Sequence, residues 1–323
     1  MTTALLDIYL TEADGQAALR SDARAGLTSV PKALPPKWFY DATGSELYER
    51  ITELPEYYPF AAEREILRAR AGQIAAASGA EALVELGSGS SEKTRLLLDA
   101  LGAAGTLRGY LPLDVSETAL REATAALAIE YPALAVHDIV GDFTTHLPRI
   151  PAEGKRLLAF LGGTVGNLLP RERAAFLAAV RDALSPGEQL LLGVGLVIDA
   201  ATMVTAYDDP SGVTAEFNRN VLRVLNRELG ADFDLEAFDH VALWNAEREW
   251  IEMRLRARRS MTVHVSELGL TVPFAEGEEL RTETSAKFRP EVVRAELTAA
   301  GFEVTEWWTD TRERFALSLA TAR

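Results

Sequence analysis

The chain has 323 residues, 48% hydrophobic and 25% charged, with a formal net charge of −15 and no cysteine. This length exceeds one small core and calls for two domains or one with a large insert. The acidic balance argues against a polyanion partner, whose phosphates need clustered Lys and Arg, and the missing thiols exclude disulfides, thiolate metal sites and a cysteine nucleophile.

In chain order, the opening "MTTALLDIYLTEADG" has no basic leader followed by an apolar block, so no secretory signal is expected. The first sixty residues read as partly helical and rich in aromatic and turn residues ("PPKWFYD", "LPEYYP"). From Ala61 two periods alternate. "AAEREILRARAGQIAAA" is helical and precedes the strand "ALVEL"; "SEKTRLLLDAL" leads to "GYLPLDV"; "SETALREATAALAIEY" leads to "LAVHDIVGDF". The apolar run "RLLAFLGG" follows, then the helix "PRERAAFLAAVRDAL" and the strand "QLLLGVGL". Short Val/Leu-rich runs separated by helices predict βαβ units feeding a parallel, doubly wound sheet in an α/β fold. After Asp199 two helical stretches, 199–209 and 211–229, give way to period-two segments. In "EWIEMRLRAR", Ile251, Met253 and Leu255 alternate with charges, as on a half-buried antiparallel strand. "SMTVHV", "LTVPFA" and "LRTETSAKF" continue this texture, so residues 197–286 read as an inserted α+β subdomain. The tail, "PEVVRAELTAAG", "FEVTEWWTD" and "RFALSLATA", reads as a helix and a closing antiparallel hairpin. No apolar run reaches the ~18 residues of a membrane span. A cytoplasmic protein binding neither membrane nor nucleic acid is expected.

The chemistry starts at "VELGSGSSEKT", Val84 to Thr94. A phosphate-binding P-loop needs G-x-x-x-x-G-K-[ST], but counting from Gly87 the second glycine position holds Glu92, whose charge repels a triphosphate. The dinucleotide fingerprint G-x-G-x-x-G also meets Glu92 at its third glycine, a departure that such a loop tolerates, so a nicotinamide-binding dehydrogenase stays as a rival reading. S-adenosylmethionine has no pyrophosphate. It needs a tight turn at its methionine half and acids for its ribose hydroxyls and ammonium. Glu85, Gly87 and Gly89 supply an acid and a turn, and the next strand ends at Asp114. The one after ends in "GDF", where Asp142 can accept from an adenine amino group and Phe143 can pack on the ring. Each feature has a plainer reading: Asp114 as a helix N-cap, Phe143 as core, Lys93 as a solvated charge.

Beyond these loops the chain resembles the histidine Nα-methyltransferases of ergothioneine biosynthesis. The resemblance rests on "PKWFYDATGSELYERITELPEYYP", "LVELGSGSSEKTR", "GDF", "FLGGTVGN", "AYDDPSGVTAEFNRNVL", "IEMRLRAR" and "TETSAKFRP". It implies a class I, Rossmann-like methyltransferase core over 61–196 and 287–323, with 1–60 and 197–286 forming a substrate-binding domain. It implies transfer of three methyl groups from S-adenosylmethionine to the α-nitrogen of L-histidine, giving hercynine, by a monomer acting on a free small molecule. Tyr40, Gly87, Gly89, Lys93, Asp114, Asp142 and Phe143 fall on cofactor positions. Tyr57, Gly162, Asn167, Tyr207, Met253, Glu283, Thr284 and Ser285 fall on histidine-binding positions, with Tyr40 and Asn167 taken as the catalytic pair. The chain departs from the pattern at Gly195 and Ile198, where an acid and a basic residue are expected.

These residue types suit the task. Asn167 and Tyr207 can donate to a carboxylate without a buried charge, Glu283 can accept the imidazole N–H, Tyr57 can serve the second ring nitrogen, and Met253 can line the ring. Tailored polar groups reject analogues that leave them unpaired. Gly162 and Gly163 leave room for a growing amine, and an aromatic face such as Tyr40 can stabilise its cation. On spacing alone, Glu283 reads as a solvated strand position, Asn167 as a turn residue, and Tyr57 as a cover for apolar surface. The four histidines, His137, His146, His240 and His264, lack ligand spacing, so no metal is expected.

Overall fold

The computed structural model describes residues 5–89, 91–152 and 154–323; Met1–Ala4 of the opening stretch and Ser90 of the glycine loop lie outside them. In chain order the elements are β1 (Leu5–Ile8), α1 (Glu12–Thr28), β2 (Lys32–Ala33), α2 (Ala42–Thr52), α3 (Tyr58–Ser78), β3 (Ala82–Leu86), α4 (Thr94–Ala103) and β4 (Gly109–Asp114). Then come α5 (Glu117–Glu130), β5 (Ala135–Val140), β6 (Arg156–Phe160), α6 (Pro170–Ala183), β7 (Gln189–Gly195), α7 (Ala200–Thr205) and α8 (Val213–Leu229). The remainder is β8 (Phe238–Asn245), β9 (Trp250–Ala257), β10 (Met261–Val265), β11 (Leu270–Phe274), β12 (Glu279–Ala286), α9 (Pro290–Ala299), β13 (Phe302–Thr309) and β14 (Phe315–Ala322).

Contacts divide the chain into two units, residues 1–10, 59–197 and 288–323 in the first, 11–58 and 198–287 in the second. The first is built on an eight-stranded sheet ordered β1-β5-β4-β3-β6-β7-β14-β13. Its members from β1 to β7 run parallel, and β14 and β13 close it antiparallel. Strands β3, β6 and β7 are buried throughout, which is why "ALVEL", "RLLAF" and "QLLLGVG" read as continuous apolar runs. Leu83, Leu157 and Leu191 centre a core completed by Ile66 and Ile74 of α3 and Leu98 and Leu101 of α4. The sequence reading put all of residues 1–60 with the insert. Instead Leu5–Ile8 pair in parallel with His137–Val140, so residues 5–10 belong to the sheet unit; four residues carry too short a pattern to reveal this.

The strand order reverses at β3, which lies between β4 and β6. Chain connections leave that point in opposite directions, opening a crevice at the carboxyl ends of the strands where doubly wound folds bind ligands. The chain leaves β3 at Gly87 and β6 at Leu161, at those carboxyl ends.

The second unit holds a four-stranded sheet, β2-β12-β9-β8, and the hairpin β10-β11. Helix α8 covers its core with Phe217, Val221 and Leu225 buried. Two buried amides on the same helix fix its position. The Asn218 amide nitrogen donates to the Arg254 carbonyl at 3.1 Å, and that of Asn220 to the Phe39 carbonyl at 2.9 Å and Asp41 Oδ1 at 2.7 Å. Met253 of β9 stands directly opposite Glu283 of β12 and Ala242 of β8.

Candidate active site

In the first unit, β3 ends in two left-handed glycines, Gly87 (φ +69°) and Gly89 (φ +48°). The Gly87 N–H donates to the Leu113 carbonyl at 2.7 Å, tying the turn to β4. A Cβ on either glycine would meet nothing within 4 Å, so open space borders the turn. The Gly89 N–H donates to Asp114 Oδ2 at 3.2 Å and the Ser116 N–H to its Oδ1 at 3.0 Å. The N-cap of α5 is Ser116, whose Oγ accepts from the Ala119 N–H at 3.2 Å. Asp114 is therefore not the helix cap that spacing alone would allow. Burial raises its pKa, against the lowering effect of those backbone N–H groups.

Glu85, the acid of this loop, has its partners inside the fold. It is buried, accepting from Thr94 Oγ1 at 2.6 Å and from the Tyr110 hydroxyl at 2.6 Å, and burial lifts its pKa to about 7. The acid thus joins β3 to α4 and β4. In "GDF", Asp142 Oδ1 accepts from the Thr144 N–H at 2.8 Å and its hydroxyl at 2.6 Å, while the Asp142 N–H donates to His146 Nδ1 at 2.9 Å. Phe143 is half-buried, its ring 5.0 Å from Phe160 and 5.7 Å from Phe176 between centroids.

Lys93, at the start of α4, pairs with the fully buried Glu63 of α3 and lies 5.0 Å from the Phe60 ring centroid. Glu63 also accepts from the Gly162 N–H, at 2.9 and 3.0 Å to its two oxygens. Gly162 and Gly163 turn the chain after β6 at φ +77° and +74°, so backbone conformation by itself requires glycine there. Asn167 is half-buried at the end of the next short helical turn, Thr164–Asn167. Gly193 explains part of "GVG": a Cβ there would lie 2.2 Å from Glu63 Oε1. Gly195, one of the two departures, ends β7 opposite Phe315, its carbonyl accepting from the Phe288 N–H at 2.8 Å.

In the second unit, Tyr40 follows a short helical turn and packs edge-on against Tyr48 (5.7 Å) and Phe217 (5.4 Å). Tyr48 in turn meets Tyr57 at 6.4 Å, and Tyr57 meets Tyr207 at 6.0 Å. Tyr57 is buried, and burial, then the neighbouring tyrosines and Glu283, push its pKa well up. Regular pairing from Glu283 to Ala286 sets Glu283 and Ser285 on one face of β12 and Thr284 on the other. Ser285 Oγ and the Tyr207 hydroxyl hydrogen-bond at 2.8 Å. Tyr57, Tyr207, Met253, Glu283 and Ser285 are thus gathered in one unit, whereas Thr284 is buried on the opposite face, across from Glu252.

Two residues missed by the sequence reading complete these clusters. Lys287, buried, donates to the Tyr207 hydroxyl at 2.8 Å, so Tyr207 stands beside a buried lysine. Glu63 anchors the Gly162 turn. A lysine two residues past a strand's polar face and an acid within the apolar stripe of α3 were the available signals. The histidines serve the fold. The side chains of His137 and His264 pair with Asp7 and Asp232 at 3.0 Å, His146 accepts from the "GDF" loop, and His240 bridges Asn218 and the Tyr207 carbonyl at 2.8 Å each. Among the described residues no three His, Asp or Glu side chains form a metal-binding group, and no helix is long and apolar enough to cross a membrane.

Residues 19–322 match the family model of histidine-specific, S-adenosylmethionine-dependent methyltransferases. A histidine N-alpha-methyltransferase of Mycolicibacterium smegmatis is 57% identical over 99% of both chains. That of Mycobacterium tuberculosis is 56% identical over 97% of both. Ergothioneine biosynthesis protein 1 of Neurospora crassa is 31% identical over 91% of this chain and 34% of its own length.

Proposed function

The chain belongs to the histidine-specific, S-adenosylmethionine-dependent methyltransferases, and from that premise we propose how its residues carry three methyl groups to the α-amino nitrogen of L-histidine, giving hercynine. The sheet unit, a class I methyltransferase core, binds the donor. Its open left-handed turn at Gly87 and Gly89 admits the methionine half, and Asp114 accepts from the ribose hydroxyls with the lone pairs that Gly89 and Ser116 leave. Asp142 and Phe143 take the adenine, Lys93 the donor's carboxylate, and Tyr40 completes the set. The bound sulfonium supplies an electrophilic methyl.

The second unit reads the amino acid. Glu283 accepts the imidazole N–H, Tyr57 serves the ring's other nitrogen, Met253 lines the ring, Ser285 donates to the Tyr207 oxygen, and Tyr207 with Asn167 donates to the α-carboxylate. The neutral amine attacks in line; its nitrogen bonds the methyl carbon as the carbon–sulfur bond breaks and its electron pair stays on sulfur. Holding nitrogen and carbon near ~3 Å supplies much of the acceleration. The amine gives up a proton before each transfer, to solvent, Tyr40 or a nearby acid. The aromatic row Tyr40, Tyr48, Tyr57 and Phe217 suits an amine that ends as a quaternary ammonium.

The observation that carries the histidine half is the register of β9 and β12. Met253 faces Glu283, and Ser285, two residues on, is joined to Tyr207. The test is turnover of purified protein with S-adenosylmethionine and each proteinogenic amino acid, read by mass spectrometry. Histidine alone gaining three methyl groups supports the assignment; another amino acid doing so discards the pocket and keeps the donor site. Action as a metal-free monomer in the cytoplasm belongs to the same proposal. Unchanged turnover in a chelator and a monomer mass by light scattering check its first two parts.

A further inference from the structure

Lys287 is a buried lysine that the reaction set out above does not use. It follows β12, two residues after Ser285 and four after Glu283. Its ammonium donates to the Tyr207 hydroxyl at 2.8 Å and to Ser285 Oγ at 2.9 Å, and the two hydroxyls are themselves 2.8 Å apart, closing a triangle. The ammonium also stands 4.8 Å from the centroid of the Tyr207 ring. Burying an ammonium is costly unless its surroundings compensate. Here burial holds its pKa below the usual lysine range, opposed by Tyr58 and Glu283.

Charged lysine has three N–H donors and no acceptor. Both hydroxyl oxygens therefore accept from it, which fixes the direction of the remaining bonds: one hydroxyl hydrogen bridges the two oxygens, and the other points away from the lysine. A hydroxyl that accepts from a cation is a stronger donor toward an anion. We infer that Lys287 is a positioning residue, which through the Tyr207 hydroxyl makes the second unit select ligands by their α-carboxylate. This rests on the reading of Tyr207 as a carboxylate donor. Lys287 and Glu283, opposite charges four residues apart, then sort the two ends of histidine, the carboxylate toward the lysine side and the imidazole N–H toward the glutamate.

The test compares L-histidine with histamine, which has the same ring and amine but no carboxylate, by calorimetry with S-adenosylhomocysteine bound. Wild type should prefer histidine. Lys287→Met should reduce that preference roughly 10- to 100-fold while histamine and S-adenosylhomocysteine bind within about twofold of wild type. Lys287→Arg, which keeps a cation and donors, should restore most of it, and Lys287→Met should add little in a Tyr207→Phe background. Equal weakening of histidine and histamine, or no weakening, makes Lys287 structural and overturns the inference. If wild type itself does not prefer histidine, or Tyr207→Phe leaves the preference intact, the carboxylate reading of Tyr207 fails and the inference with it. Should Lys287→Met not fold, Lys287→Gln removes the charge while keeping a donor and must lose the preference in the same measure.

Discussion

Glu283 and Asp114 are both half-buried carboxylates on strands, but different partners surround them. Asp114 is held by the backbone N–H groups of Gly89 and Ser116, whereas Glu283 lies across from Met253 and acts electrostatically on Tyr57 and Tyr207. Calorimetry on Glu283→Ala should therefore find histidine weakened roughly 10- to 100-fold and S-adenosylmethionine within about twofold; Asp114→Ala should do the reverse. Equal losses of both ligands in either variant would sink the assignment. Gly193 gives a test independent of ligand contact. A methyl there would displace Glu63 from Gly162 and Lys93, so Gly193→Ala should cost about 1–3 kcal/mol in denaturant unfolding and weaken the donor as well. Gly102→Ala, on α4 with nothing within 4 Å, should instead stabilise by about 0.5–1 kcal/mol. A harmless Gly193→Ala would show that Glu63 has room to move. At this scale the turn after β3 was legible, because two glycines closing an apolar run mark a sharp bend, and both are left-handed. Lys287 and Glu63 were not, since one lysine or one acid carries no pattern until the fold buries it.

Strands β3, β6 and β7 were legible from apolar runs because both of their faces are covered, and β9 from its alternation because Ile251, Met253 and Leu255 are buried while Arg254 and Arg256 are less so, although Glu252 is buried too. The two-residue β2 was not: Lys32 and Ala33 are a strand only because β12 lies alongside them. Glu85 shows the same dependence within one element. Its side chain anchors α4 through Thr94 and β4 through Tyr110, and burial raises its pKa from the ordinary value to about 7. The folded state therefore binds a proton here that the unfolded chain has released. This contribution to stability is fully present below about pH 4.5 and is lost as pH rises through about 7. Glu85→Gln keeps an acceptor for both hydroxyls and removes the titration. Urea unfolding at pH 5 and pH 8 should show wild type losing up to about 3 kcal/mol more than Glu85→Gln over that interval. Parallel losses in the two proteins would mean that Glu85 is ionised in the fold at both pH values.

Across the whole molecule, the chain builds two units from interrupted segments, each with its own sheet and core. The proposed donor residues other than Tyr40 fall in the first unit, and the proposed histidine residues other than Gly162 and Asn167 in the second. That division makes the assignment testable by hydrogen exchange with one ligand at a time. A ligand raises the opening free energy of the region it binds by RT ln(1 + [L]/Kd), about 2.7 kcal/mol at a hundredfold excess over Kd. S-adenosylhomocysteine alone should therefore slow exchange at the Gly87–Gly89 turn, at Asp114–Ser116 and in the "GDF" loop, and in the second unit chiefly near Tyr40. Hercynine alone should slow it along β9 and β12, and in the first unit chiefly at Gly162 and Asn167. If S-adenosylhomocysteine protects β12 as strongly as the end of β3, the division of donor and acceptor residues proposed here is wrong. Sequence could anticipate that two textures existed, because periodicity is local. Which residues of each texture converge depends on pairings between distant segments, such as Met253 with Glu283 and Leu5 with His137, and only the folded chain brings those together.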